Sequence, residues 1–181
     1  MMIARMQPVP ERWAACGLPS QQPAWRVDSS EVPSLPLDLS TWVDKCTLLV
    51  RIEDEVLRLD WNNPLVVEHL RSHPEYRPKT MLSLLCLAYS TQVFNSQEIQ
   101  SRCHSHPEFA LMCDGQVPFA HELTRFRRQN RTLITEVLAR VFKKIWQGRC
   151  DVAAASDAWE KQIRDIASAR LDIARHMDNC D

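Results

Sequence analysis

The sequence predicts an all-α protein, a compact multi-helix domain with a helix-turn-helix-like core, preceded by a disordered arm and closed by a long C-terminal helix. Three observations carry this expectation. Only three glycines occur in 181 residues, whereas strand-rich and dinucleotide-binding folds use glycine in turns and phosphate loops. After Ser40, apolar residues recur at steps of three and four, the period of one helix face. Proline, asparagine and serine stand where those runs break off, as short helix connections require.

Residues 1–37 hold six of the eleven prolines and show no sustained period, which reads as a poorly ordered arm. Residues 38–149 read as one helical domain. Ser40 is the expected cap of its first helix, whose face carries Trp42, Cys46, Leu49, Ile52, Val56 and Leu59; a hairpin over Leu48 to Leu59 is the rival reading of the same residues. Asn63-Pro64 opens a short helix that ends near His73-Pro74. Pro78 starts the next, in which Met81, Leu82, Leu84, Leu85, Leu87 and Ala88 surround most of the circumference. A helix apolar on nearly all sides belongs in the middle of a domain.

Asn95 or Ser96 caps a further helix, with Glu98 near the position a capping box uses, and this helix stops before Pro107. Phe109, Leu111 and Met112 form a brief turn that Gly115 and Pro118 end. Leu123 and Phe126 anchor the helix that follows. Ile134, Val137, Leu138, Val141, Phe142 and Ile145 stripe the next one, with Gly148 as its expected terminator. Residues 150–181 read as a last helix with a heptad-like seam of Trp159, Ile163, Ile166, Arg170, Ile173 and Met177. It packs on the domain or pairs with a second copy.

The whole chain carries a net charge of −1, so attraction to a polyanion has to be local. Between His121 and Arg149 eight basic residues face only Glu122 and Glu136, a local excess of +6 against −7 for the rest. Arg125, Arg127, Arg128 and Arg131 are the first candidates for phosphate contacts, with Arg140, Lys143 and Lys144 as an extension. A solvated helix face accounts for the same charges more simply, so charge alone does not decide between them. In a tri-helical reading of residues 78–92, 96–104 and 119–129, a recognition helix enters the major groove while arginines grip phosphates.

Other chemistry finds little support. Cys103, His104, His106 and Cys113 match no standard zinc spacing, and no elbow or oxyanion loop accompanies a Ser-His or Cys-His pair. No metal or cofactor is expected. Seven cysteines without a C-x-x-C pair read as small buried hydrophobes and unpaired thiols. The N-terminus lacks the apolar run of a signal peptide, and no window suits a membrane helix. A cytoplasmic protein is the expectation.

The stretch EYRPKTMLSLLCLAYSTQVFNSQEIQSRC, followed by VPFAHELTRFRRQN, resembles the N-terminal domain of InsH-type DDE insertion-sequence transposases. The residues that carry the resemblance, in order and spacing, are Tyr76, Pro78, Leu82, Leu85, Tyr89, Ser96, Glu98, Ile99, Phe109, Pro118, Phe126, Arg127, Arg128 and Asn130. Three positions depart from the family's pattern. Gln92 stands where a glycine is usual, Gln97 where an arginine is common, and Phe119-Ala120 where an Asp-His pair supplies an acidic cap.

The resemblance implies a module that binds double-stranded DNA at insertion-sequence ends. Family members continue into an RNase H-like domain in which three acids hold two divalent metals. Only 32 residues follow Arg149, and their acids sit in one helical segment. The catalytic domain is therefore expected to be missing, and no enzyme activity is expected. The other reading is a helical interaction or regulatory remnant that forms a homodimer or pairs with a full-length transposase.

Overall fold

A computed structural model describes residues 35–61, 77–149 and 157–179. After a 3-10 turn at Leu39–Thr41, these hold seven α-helices: α1 (Lys45–Leu57), α2 (Pro78–Ser90), α3 (Ser96–Ser105), α4 (Pro107–Met112), α5 (Ala120–Gln129), α6 (Arg131–Arg149) and α7 (Asp157–Asn179). Among the described residues there is no strand, only an isolated bridge between Asp38 and Thr91. The all-α expectation holds. The arm over residues 1–34, the short helix after Pro64 and Tyr76 lie outside the described residues.

Helix α2 is the centre. Pro78 occupies its first turn, where a missing N–H costs nothing, and every side chain from Met81 to Ser90 is buried. It packs against α1, α4, α5 and α6, while α3 lies on α4 and α5. Helix α1 presents Leu48, Leu49, Ile52 and Val56 to this core, and its continuity through Leu57 excludes the hairpin. Its cap is not Ser40. Asp38 caps the 3-10 turn by accepting from the Ser40 N–H, and Asp44 caps α1 by accepting from the Thr47 N–H at 2.9 Å. Carboxylates cap the positive end of a helix well, so the helix begins four residues later than periodicity suggests. Leu35 packs against the core and Leu39 is fully buried, so the domain starts before residue 38.

The exit of α2 carries the departure at position 92. Gln92 adopts a φ of +63°, the left-handed conformation that closes a helix most cheaply with glycine. The Val93 N–H donates back to the Ala88 carbonyl at 2.8 Å, the long bond of a Schellman ending. The Tyr89 carbonyl accepts instead from the guanidinium of Arg170. Asn95 then caps α3, accepting from the N–H groups of Gln97 and Glu98.

In α6 the stripe from Ile134 to Ile145 is buried as its period requires. Gly148 does not end the helix, which continues to Arg149. Helix α7 packs along α6, but its buried face is turned from the expected seam. Ile163, Ala167, Arg170, Leu171 and Ala174 face inward, while Ile173 and Met177 remain 38% and 43% exposed. The small Ala167 and Ala174 let α7 approach closely, a preference that a count of large residues overlooks. Arg170 is buried over the Phe142 ring at 4.5 Å and donates to the carbonyls of Tyr89 and Pro36. It ties α7 to the end of α2 and to the start of the domain.

Cys46, in the first turn of α1, is disulfide-bonded, which departs from the reading of the cysteines as unpaired thiols. Cys86, Cys103 and Cys113 are free and buried. No helix among the described residues is long and apolar enough to cross a membrane.

Candidate nucleic-acid interface

The seven candidate cations do not share one face. On α5 the buried positions are Leu123, Phe126 and Arg127, followed by buried Asn130. Their spacing of zero, three, four and seven is that of a core-facing stripe, and Arg127 belongs to it. The residue is 4% exposed. Arg127 is ion-paired with Asp178 near the end of α7 and donates to the Tyr89 hydroxyl at 3.1 Å.

Asp178 is the hub of this buried cluster. Besides Arg127, its carboxylate accepts from the Ser96 N–H at 3.0 Å, the Ser96 hydroxyl at 2.8 Å and the Thr124 hydroxyl at 2.6 Å. The Ser96 N–H is one of the open donors at the start of α3, a place where a carboxylate is well received. Four helices meet in this cluster: α2 through Tyr89, α3 through Ser96, α5 through Thr124 and Arg127, and α7 through Asp178. Burial pushes the Tyr89 phenol up to about 12, against the opposing charge of Arg127.

Arg131 and Lys143 also turn towards α7. Arg131 donates to Asp172 at 2.9 Å and to Ser168 at 3.1 Å, and Lys143 pairs with Glu160. The hydrogen bond from Arg131 holds the Asp172 carboxyl below its ordinary range, and that from Lys143 does the same for Glu160. In the opposite sense, Glu136 of α6 accepts from Arg164 of α7 at 2.8 Å. Part of the local positive excess is thus matched across the α6–α7 seam.

Four candidates remain on the outside. Arg125 and Arg128 are exposed on α5, and Arg140 and Lys144 are exposed one turn apart on α6. Among the described residues Arg128, Arg140 and Lys144 have no ion-pair partner. His121, Thr124, Arg125, Arg128 and Gln129 line a shallow, solvent-open groove along the single helix α5. Their spacing of zero, three, four, seven and eight is the outward counterpart of the buried stripe. His121, Thr124 and Gln129 were not among the sequence candidates, although that same spacing singles them out.

The start of α5 is built without the acidic cap. Glu122 supplies the substitute, its carboxylate accepting from the Phe119 N–H at 2.7 Å, and the Gln100 side chain accepts from the Ala120 N–H at 2.8 Å. Phe119 itself is exposed, its ring stacked on His121 at 5.7 Å between centroids and 13° between planes. The zinc reading has no geometry to rest on. Cys103 and Cys113 are buried in the core, while His104 is exposed and His106 interacts with Ser105 and the edge of Phe109. Among the described residues no group of three or more ligand side chains could hold a metal ion.

Residues 37–129, more than half of the chain, match the family described as Transposase domain (DUF772). Searches of curated proteins and of solved structures found no match. The matched segment runs from the start of the domain to the last residue of α5, so it contains the groove and stops before Arg140 and Lys144.

Proposed function

Since the chain belongs to the Transposase domain (DUF772) family, we propose that it is a transposase-derived module that binds double-stranded DNA of the kind found at insertion-sequence ends. The observation that carries this reading is the groove on the outer face of α5. It sets Arg125 and Arg128 beside His121 and Gln129, within the matched residues, while the Thr124 hydroxyl is already bound to Asp178. Arginines of this kind hold phosphates, while shorter polar side chains between them reach base edges. Arg140 and Lys144 extend the phosphate contacts. Arg127, Arg131 and Lys143 serve the fold, because their charges are already met by carboxylates of α7.

The InsH-type resemblance over residues 76–130 favours the N-terminal, DNA-recognising part of such an enzyme. The chemistry of strand transfer needs acids placed to hold two metals. Acids of α7 instead pair with Arg127, Arg131 and Lys143 or lie along a helix. The function proposed for the described helices is therefore binding, and strand transfer is not assigned to them. The test is titration of a labelled duplex by fluorescence anisotropy at low and at moderate salt. Wild type should bind even a random duplex at low salt, and Arg125→Ala/Arg128→Ala should weaken that binding for every sequence. Absence of binding at low salt overturns the proposal. The module would then be an interaction or regulatory remnant, with the exposed Ile173 and Met177 of α7 as its first contact to examine.

A further inference from the structure

Phe119 is the most exposed large apolar side chain among the described residues, at 58%. A single exposed ring is ordinary in itself. This one is held in place. Its N–H is tied to Glu122 and its carbonyl accepts from the N–H groups of Glu122 and Leu123. The next N–H is fastened to Gln100 of α3. The ring lies nearly parallel to His121, and His121 lines the groove that also holds Arg125 and Arg128. Two flat rings thus end a cationic groove.

The distances suit a nucleic-acid strand. At about 1.5 Å of rise per residue, Arg125 and Arg128 lie roughly 9 and 14 Å along α5 from Phe119. A DNA strand carries one phosphate per about 3.4 Å of axis, so the arginines stand roughly three to four nucleotides from the ring. Stacking on an aromatic face is how proteins hold bases that have left the duplex, and it tolerates any sequence. The acids nearby do not oppose such a strand strongly. Glu122 is turned back onto the Phe119 backbone and Asp178 is neutralised by Arg127.

We propose that the Phe119–His121 stack is a platform for an unpaired base at a DNA end, with phosphates of the same strand on Arg125 and Arg128. This rests on the DNA-binding reading above and adds a preference for frayed or overhanging ends over continuous duplex.

The experiment uses the full chain and two probes: a blunt duplex, and the same duplex with a short single-stranded overhang carrying 2-aminopurine, placed on each strand in turn. Wild type should bind one overhang probe roughly 5- to 100-fold more tightly than the blunt duplex and quench its 2-aminopurine fluorescence. Phe119→Ala should lose both the preference and the quench while keeping its blunt-duplex affinity and its helical circular dichroism. Phe119→Trp should retain both. Arg128→Ala should weaken both probes together. Equal wild-type affinity for the blunt and overhang probes, or an equal loss on both from Phe119→Ala, overturns the platform and leaves duplex binding standing. A loss of self-association on Phe119→Ala, with the overhang preference intact, also overturns it and assigns the ring to a protein contact. If neither probe binds at low salt, the DNA reading itself falls.

Discussion

Arg127 and Arg128 are neighbours in the chain and opposites in the fold. The first is buried and bound to Asp178 of α7; the second stands on the outer face of α5, beside the groove it helps to line. Arg131 and Lys143 follow the first pattern, and Arg140 and Lys144 the second. What separates the groups is the placement of α7, whose carboxylates take up the cations that face it. A run of positive charge in a sequence is therefore an upper limit on the charge a partner meets. The inward cations fasten the last helix to the domain, and the outward ones face solvent.

The largest test of this division is removal of residues 150–181. The deletion uncovers the α6 stripe and takes away the partners of Arg127, Arg131 and Lys143 together with Arg170. Loss of cooperative unfolding, or aggregation, is expected in circular dichroism and size-exclusion measurements. A folded, soluble monomer would mean that α7 is an appendage.

Next in size is Arg127→Ala, which leaves the Asp178 carboxylate buried without its cation. Breaking such a pair typically costs about 3–5 kcal/mol, measurable by urea unfolding. Arg127→Met/Asp178→Leu should recover only part of the loss, because it removes the buried charge with its partner but leaves the Ser96 N–H and the Thr124 hydroxyl without their acceptor. An Arg127→Ala cost close to that of Arg128→Ala would erase the distinction between the two groups.

A smaller effect sharpens the account of the α2–α3 connection. Gln92→Gly relieves a left-handed residue and should raise stability by roughly 0.5–1 kcal/mol, after the entropy a glycine adds to the unfolded chain. Destabilisation would show that the Gln92 side chain matters more than its backbone.

The smallest concerns the exposed pair of Arg131 and Asp172. Its contribution should be under about 1 kcal/mol. The Asp172 carboxyl is depressed from 3.8 in the folded protein, so whatever it contributes is present above that value and is lost as pH falls through the lower folded one. Asp172→Asn should lower Tm slightly near neutral pH and leave it unchanged in strong acid. A gap that widens in acid contradicts the sign.

Much of this was legible before the fold was seen. Scarce glycine and the three-four period mark the helices, the all-round apolar run of Met81 to Ala88 marks the central one, and Pro78 and Asn95 mark two of their starts. The strain at position 92 could be anticipated from a glutamine standing where glycine closes a helix. Arg127 was also legible, since Leu123, Phe126, Arg127 and Asn130 keep core spacing, but reading the charges as one block concealed it. Asp178 was not legible as its partner, because it lies 51 residues further along the chain and no local pattern links the two. The rotation of α7 was hidden for a related reason. Alanines at 167 and 174 define its buried face by being small, and a seam drawn through the large residues passes beside them.

The most direct test of the account is the salt dependence of duplex binding for two double variants with equal loss of charge. Arg125→Ala/Arg128→Ala removes two outward cations, and Arg131→Ala/Lys143→Ala removes two that pair with α7. For the outward variant the slope of log Kobs against log salt should flatten by roughly 0.9 per lost phosphate contact, about two units in all. For the inward variant the slope should match wild type, with any change confined to stability. Equal flattening in both variants would contradict the division of the basic residues on which the account depends.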